Sequence, residues 1–450
     1  MIITIARRKY GLLLPVLFLL ASCSLEKKIG RSANENVLGD PALKTAHVGI
    51  SVFEPASNKY WFNYQGDHYF VPASNTKLPT CYAAMKYLGD SLVAARVIES
   101  DAEVFLYPAA DPSLLHPDYP DQPLIRFLQS QKKKIFIAGN DWKEDGLGSG
   151  WSWNDYNDDY MAERSPMPVY GNVIHWVQER GDVPDSTVVY SVPDVAWDVD
   201  FNVTEHPRSF SVLRSLGTNH FVITQGKEKF KTTDVPFITA GINSALELLP
   251  DTVGGAVTAL SDKKAAEMRN ANKGHLRVIH SQPTDSLLSP MMHRSDNFFA
   301  EQSLLMVSHE RLGVMNDDKI IDTLLKTDLS DLPQKPRWVD GSGLSRYNLF
   351  TPQDFVTILG KMKNEFGMDR IKKILPTGGT GTLSSLYKNE SGFIFAKTGT
   401  LSGVVALSGF LYTKKNKLLI FSVLVNNHQA SATAVRKAVE KFITGLRESY

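Results

Sequence analysis

The chain has 450 residues, 43% of them hydrophobic and 22% charged, and its 49 Lys and Arg nearly balance its 48 Asp and Glu. That apolar fraction excludes wholesale disorder, and a net charge near zero argues against nucleic acid as a partner, because phosphate binding needs a strong basic excess. At roughly 150 residues per domain, the length predicts two or three domains, or one domain carrying a large insertion.

The N-terminus reads as an address. Arg7, Arg8 and Lys9 form a basic start, Gly11 to Ala21 is a short Leu-rich core, and Leu20-Ala21-Ser22-Cys23 follows. The core is too short to span a bilayer, so residues 1–22 are expected to be a removable export signal. Cys23 is expected to be lipidated, as in a bacterial lipobox. This places the protein on the periplasmic face of the cell envelope, most simply at the outer membrane, with the lipid as its sole membrane attachment. Residues 23–45 are expected to be a tether. Cys81 is the other cysteine, so a Cys23 that is acylated leaves no partner for a disulfide.

Further along, His47 to Phe53 alternates as a strand and Tyr60 to Tyr64 offers a second one to pair with it. After Pro72 the pattern becomes helical, from about Thr76 to Leu88, with Gly89 at the stop position. Residues 98–278 differ in texture, being rich in Asp, Pro, Trp and Tyr, with short β-like runs such as Val188 to Val192 and Phe221 to Thr224. Helical patterning returns from Leu287 and is strongly apolar from Phe298 to Val307. Phe393 to Ala396, Val404 to Tyr412 and Leu418 to Val425 read as strands, with a turn at Lys414 to Lys417 and a last helix from about Ala430 to Arg447. Strands at both ends predict a single α/β (α+β) domain, residues 46–97 and 279–450, interrupted by a large, mostly β insertion at 98–278.

Several familiar hydrolase patterns are missing: H-E-x-x-H, a metal-like histidine spacing and G-x-S-x-G. No cofactor or metal is expected. Gly146-Leu-Gly148-Ser-Gly150 lacks the strand-loop-helix context of a phosphate loop. What remains is a serine-lysine system. Ser74-Asn-Thr-Lys77 places a hydroxyl and an amine one helical turn apart, where they can meet, with the helix N-terminus supplying N–H groups to a developing oxyanion. The spacing alone is weak, because S-x-x-K also starts at Ser24, Ser130, Ser261 and Ser385, and S-x-N occurs at Ser32 and Ser152 as well as Ser295. Lys397-Thr-Gly399 occurs once. The ordered set Ser74…Lys77, Ser295-Asp-Asn297, Lys397-Thr-Gly399-Thr400 carries the weight.

That set resembles the class C low-molecular-mass penicillin-binding proteins, D-alanyl-D-alanine carboxypeptidases/endopeptidases with a long insertion after S-x-x-K. The likeness extends to Pro72-Ala-Ser-Asn-Thr-Lys77, Ser295-Asp-Asn-Phe-Phe-Ala-Glu301, Asp340-Gly-Ser-Gly-Leu-Ser-Arg346 with Asn348 and Thr351, Ala396-Lys-Thr-Gly-Thr-Leu401, and Gly150-Trp-Ser-Trp153. It implies a transpeptidase-like fold shared with serine β-lactamases, an antiparallel sheet flanked by helices. Peptidoglycan stem peptides would be the substrates and β-lactams the inhibitors. By this resemblance Ser74 is the nucleophile, Lys77 its base, Ser295 a proton relay and Asn297 a hydrogen-bonding anchor. The N–H groups of Ser74 and Thr400 form the oxyanion hole, while Lys397, Thr398, Gly399 and Thr400 bind the terminal carboxylate. To act as a base near pH 7, Lys77 needs its pKa lowered by roughly three units, and burial beside Lys397 is the expected cause. Pro79 departs from the family pattern and puts the Ser74–Lys77 geometry in question. Two rival readings follow: an inactive envelope lipoprotein that binds cell-wall peptide, and a serine β-lactamase, for which the activating Glu-x-x-Leu-Asn is missing.

Overall fold

A computed structural model describes residues 26–181, 186–202, 209–272 and 274–450. The expected export signal and the lipidation site at Cys23 lie outside the described residues. No helix among those described is long and apolar enough to cross a membrane.

Chain order runs as follows. Helix α1 covers 26–33 and continues into a π turn, Asn34–Leu38. Strands β1 (His47–Glu54) and β2 (Lys59–Tyr64) form a hairpin, and a 3₁₀ turn, Ala73–Thr76, leads into α2 (Lys77–Tyr87). The intervening region holds β3 (Ser91–Glu99), β4 (Glu103–Pro108), α3 (Pro123–Gln129), β5 (Lys134–Ala138), β6 (Val173–Arg180) and β7 (Thr187–Val192). It continues with β8 (Val199–Phe201), β9 (Ser211–Arg214), β10 (Phe221–Thr224), β11 (Phe230–Pro236), α4 (Asn243–Val253), β12 (Val257–Leu260), α5 (Asp262–Ala271) and β13 (Arg277–Pro283). Then come α6 (Thr284–His293), α7 (Asn297–Leu312), α8 (Asp317–Lys326), α9 (Pro352–Ile374), β14 (Ile394–Leu401), β15 (Val404–Tyr412), β16 (Leu418–Asn426) and α10 (Ala432–Ser449).

The main sheet is fully antiparallel in the order β14-β15-β16-β1-β2, so it draws on both ends of the chain. Strands β15 and β16 are buried on both faces, which explains the nearly unbroken apolar runs Val404–Tyr412 and Leu418–Asn426. Phe410, Ile420 and Leu424 join the core built on α2, α6, α7 and α9, whereas Leu411, Phe421 and Val423 join that of α10. Alternation along each strand thus feeds two cores from one sheet.

The tether expectation is corrected over the described part of 23–45. Ile29, Ala33 and Val37, spaced four apart, are buried against the α10 face, and Leu43 follows them. Such spacing puts all three on one helical stripe, and burying it outweighs the polar residues between.

The insertion builds a second five-stranded sheet, β12-β5-β4-β3-β13, and two three-stranded ones, β8-β10-β9 and β11-β6-β7. The expected boundaries at 98 and 278 fall within β3 and β13, which pair with each other. The insertion also carries α3, α4 and α5 beside its strands. Apolar residues of α4, among them Leu248 and Leu249, pack under the second sheet.

Candidate functional site

The three expected motifs meet at one place. Ser74 lies in the 3₁₀ turn, half-buried, and Lys77 opens α2 with no exposed surface. Because the first turn is 3₁₀ and the α-helix starts only at Lys77, Pro79 falls in that helix's first turn, where a missing N–H costs nothing. With Pro79 in that turn, Lys77 Nζ stands 3.1 Å from Ser74 Oγ.

Lys77 Nζ also donates to Asn297 Oδ1 at 2.6 Å and to the Ser342 carbonyl at 2.8 Å. Asn297 is oriented in turn by donating Nδ2 to the Tyr160 carbonyl at 3.0 Å. A neutral amine has two N–H donors and one lone pair. Two carbonyl-type acceptors therefore take the donors, and the lone pair is left for the Ser74 hydroxyl. Burial pulls the Lys77 pKa down to about 8, against the pull of Asp340, Glu301 and Asp296, which favour the ammonium. Burial is the leading cause of that shift, and the repulsion between the two amines is carried by Lys397. Its own pKa is held well below the usual value, first by burial and then by Lys77.

Lys397 is fully buried on β14, and its Nζ reaches Ser295 Oγ at 2.7 Å and the Thr398 carbonyl at 2.7 Å. Ser295 sits just before α7 with φ of 63°, and Ala73, beside the nucleophile, has φ of 48°. Non-glycine residues pay about 1 kcal/mol or more for that region, so the surrounding packing fixes both. Asp296 caps α7 by accepting the Phe299 N–H at 2.9 Å.

Strand β14 is an edge strand. The Ala396 N–H points outward to the Pro376 carbonyl at 3.1 Å, so by the two-residue repeat the Thr398 and Thr400 N–H groups face outward too. Gly399 lets this strand meet the nucleophile turn, since a Cβ there would stand 2.7 Å from the Pro72 carbonyl oxygen and 3.1 Å from the Ser74 nitrogen. The Thr400 hydroxyl accepts from Arg436 of α10 at 2.6 Å.

Residues without an assigned role in the sequence complete the site. Asp340 is buried and accepts from the N–H groups of Gly343 (2.8 Å) and Ser345 (2.6 Å), Asn348 Nδ2 (2.8 Å) and Trp151 Nε1 (3.0 Å). These bonds shape the loop that delivers the Ser342 carbonyl. Gly343, at φ of 87°, has no room for a Cβ, which would fall 2.0 Å from the Ala73 carbonyl oxygen. The glycines in Asp340-Gly-Ser-Gly343 and the Trp in Gly150-Trp151 were the available signals, yet spacing along the chain does not reveal which loop meets which. A cavity of about 870 Å³ opens over Ser74, with Trp151, Asp155 and Tyr160 from the insertion and Arg346, Thr400 and Leu401 from the main unit among its walls.

Comparison with known proteins identifies the family. Residues 31–446 match the D-Ala-D-Ala carboxypeptidase 3 (S13) family. A D-alanyl-D-alanine carboxypeptidase of Actinomadura sp. (strain R39) is 27% identical, over 95% of this chain and 88% of its own. The D-alanyl-D-alanine carboxypeptidase DacB of Haemophilus influenzae is 22% identical, over 85% and 86%. The crystal structure of penicillin binding protein 4 (dacB) from H. influenzae superposes with a TM-score of 0.71 at 20% identity, covering 93% of this chain and 98% of the other. With a family match that spans nearly the whole described chain, this protein belongs to the D-Ala-D-Ala carboxypeptidase 3 (S13) family of peptidases.

Proposed function

We propose that the protein cleaves the terminal D-alanyl-D-alanine bond of peptidoglycan stem peptides through an acyl-enzyme on Ser74. The observation that carries this reading is the Lys77 amine at 3.1 Å from Ser74 Oγ, with its two N–H donors engaged by Asn297 and Ser342. Ser74 Oγ attacks the scissile carbonyl while its proton passes to Lys77. The C–N bond then breaks, and Ser295, in contact with Lys397, relays a proton to the departing amine. Water attacks the ester, and Ser74 regains its proton. The outward N–H of Thr400 and the N–H of Ser74 receive the oxyanion, a donor of this kind being worth about 3 kcal/mol. Thr398 and Thr400 take the terminal carboxylate beside Lys397, and Gly399 keeps the strand close enough for them to do so.

β-Lactams would acylate the same serine. We further read the action as taking place in the cell envelope, with the chain anchored through a lipid on Cys23 at the periplasmic face of the outer membrane. The support is the run Leu20-Ala21-Ser22-Cys23 behind an apolar core. Intact mass spectrometry after incubation with a fluorescent penicillin tests the enzymatic reading. The expected result is one adduct on the wild type and none on Ser74→Ala, with D-alanine released from a pentapeptide by the wild type alone. An adduct or release that survives in Ser74→Ala would sink it. Absence of both from the wild type would favour an inactive peptide-binding protein.

A further inference from the structure

The peptide unit that holds the base is itself gripped from behind. The Ser342 carbonyl accepts from Lys77 at 2.8 Å, and the Ser342 N–H donates to Glu301 Oε1 at 2.7 Å. Glu301 lies on α7, one turn beyond Asn297, and is 1% exposed. Its other oxygen, Oε2, has no hydrogen-bond partner among the described residues. Arg164 Nη1, from the inserted segment, stands 3.6 Å from that oxygen and supplies the countercharge.

Arg164 is itself 2% exposed, and it also pairs with Asp317 of α8 and, at 3.4 Å, with Glu144. Gln302, next to Glu301, clasps the backbone beside Arg164, accepting from the Ser165 N–H at 3.2 Å and donating to its carbonyl at 2.9 Å. A wholly buried carboxylate that bonds one backbone N–H and one distant cation is expensive to keep. Packing alone would be served by an apolar side chain at this position.

We propose that Glu301 is a positioning residue for the serine-activating base: through the Ser342 peptide it fixes the Lys77 amine beside Ser74. This rests on the reading of Lys77 as the base for Ser74. Glu301 acts in two ways. As a hydrogen-bond acceptor it orients the Ser342 peptide, whose carbonyl then aims at Lys77. As an anion it favours the Lys77 ammonium, together with Asp340 from the loop and Asp296 before α7, while Lys397 on β14 opposes it from the other side. Burial and Asp340 push the Glu301 carboxyl up to about 7, against the pull of Arg164. Arg164 at 3.6 Å and the Ser342 N–H at 2.7 Å both favour its anionic form.

The two roles separate by substitution. Glu301→Gln keeps an acceptor for the Ser342 N–H but removes the charge, whereas Glu301→Ala removes both. The measurement is the second-order rate of acylation by a fluorescent penicillin as a function of pH, with thermal unfolding recorded in parallel. Glu301→Gln is expected to keep the alkaline plateau within about threefold and to move the acid limb to lower pH by about half a unit or more, since one anion no longer holds the Lys77 proton. Glu301→Ala is expected to lose the plateau by about tenfold or more while still unfolding cooperatively, because a misplaced base slows proton transfer. A merely structural Glu301 would leave the pH midpoint of Glu301→Gln on that of the wild type. That outcome, or a folded Glu301→Ala with a wild-type plateau, overturns the proposal. Should Glu301→Ala fail to fold, the Glu301→Gln midpoint decides alone. A wild type that is not acylated at Ser74 would instead overturn the enzymatic reading, so the two failures are distinct.

Discussion

Gly399 and Ser74, 325 residues apart in the chain, meet backbone to backbone: a Cβ on Gly399 would stand 3.1 Å from the Ser74 nitrogen and 2.7 Å from the Pro72 carbonyl oxygen. Both neighbours are main-chain atoms, which cannot swing aside as the end of a side chain can. Gly399→Ala is therefore expected to push β14 away from the nucleophile turn and widen the gap between the Ser74 and Thr400 N–H groups. Acylation by penicillin should fall about tenfold or more, with far-ultraviolet circular dichroism unchanged. A variant acylated at the wild-type rate would show that the strand tolerates the methyl group.

Lys77 makes a second prediction, in two parts. Its pKa lies at about 8, lowered from 10.5 by burial, so acylation should rise with pH to a plateau with its midpoint near 8. The stability sign follows from proton counting. Between about 8 and 10.5 the unfolded chain binds a proton that the folded chain has released, so stability rises with pH in that window. The full effect is roughly 3 kcal/mol, referred to a solvated lysine. Chemical denaturation at two pH values within the lower part of this window, below the titration of ordinary tyrosines, should show the corresponding part of that increment in the wild type. In Lys77→Met the increment from this residue should be gone and acylation should drop by about a hundredfold or more. Equal slopes in the two proteins would contradict the assignment.

Arg436 was not visible as a site residue, because it lies on the C-terminal helix α10, well after the last motif. Its guanidinium donates to the Thr400 hydroxyl at 2.6 Å and so places a positive charge beside the proposed carboxylate-binding threonine. Arg436→Ala is expected to raise KM for a peptide ending in D-Ala-D-Ala by about five- to tenfold, with kcat nearly unchanged, as for an exposed charge-assisted hydrogen bond. The same change in kcat/KM for a substrate whose terminal carboxylate is amidated would argue against this role.

Pro79→Ala should matter little. Proline in the first helical turn gives up no intrahelical bond, and the fold absorbs it by starting the α-helix at Lys77. Acylation within about twofold of wild type, and a stability change below about 1 kcal/mol, are expected. A larger loss of rate would mean that Pro79 sets the Ser74–Lys77 distance after all.

Much of the main unit could be read from residues alone. His47 to Phe53, Val404 to Tyr412 and Leu418 to Val425 announce strands because β-branched and aromatic residues fill them, and Phe298 to Val307 announces a buried helix. Ser74, Lys77, Ser295, Asn297 and Lys397 were legible as the ordered set S-x-x-K, S-D-N and K-T-G, since spacing alone recurs elsewhere in the chain. Three things escaped. The run Ile29, Ala33 and Val37 is diluted by charged neighbours, so its packed stripe reads as polar chain. The second sheet begins at Ser91, where Ala94 and Ala95 give little strand signal, and ends at Pro283, past the region of unusual composition. Finally, the groups that hold Lys77 and the loop before it are a backbone carbonyl at Ser342 and buried acids at Asp340 and Glu301. Carbonyls have no sequence signature, and a buried acid looks like any other until the helix that carries it is placed.

The pairing of β1 with β16, which sets His47 opposite Asn426, has a temporal meaning. A chain made from its N-terminus presents β1, the hairpin and the Ser74 turn long before β16 and the Lys397 strand exist. Loop closure over almost the whole chain must precede the central pairing, which makes folding slow and late. The nucleophile is therefore made well before the Lys397 strand that completes its site. A chain cut short anywhere before β14 would carry Ser74 and Lys77 without Lys397, and it is expected to remain unacylated by penicillin.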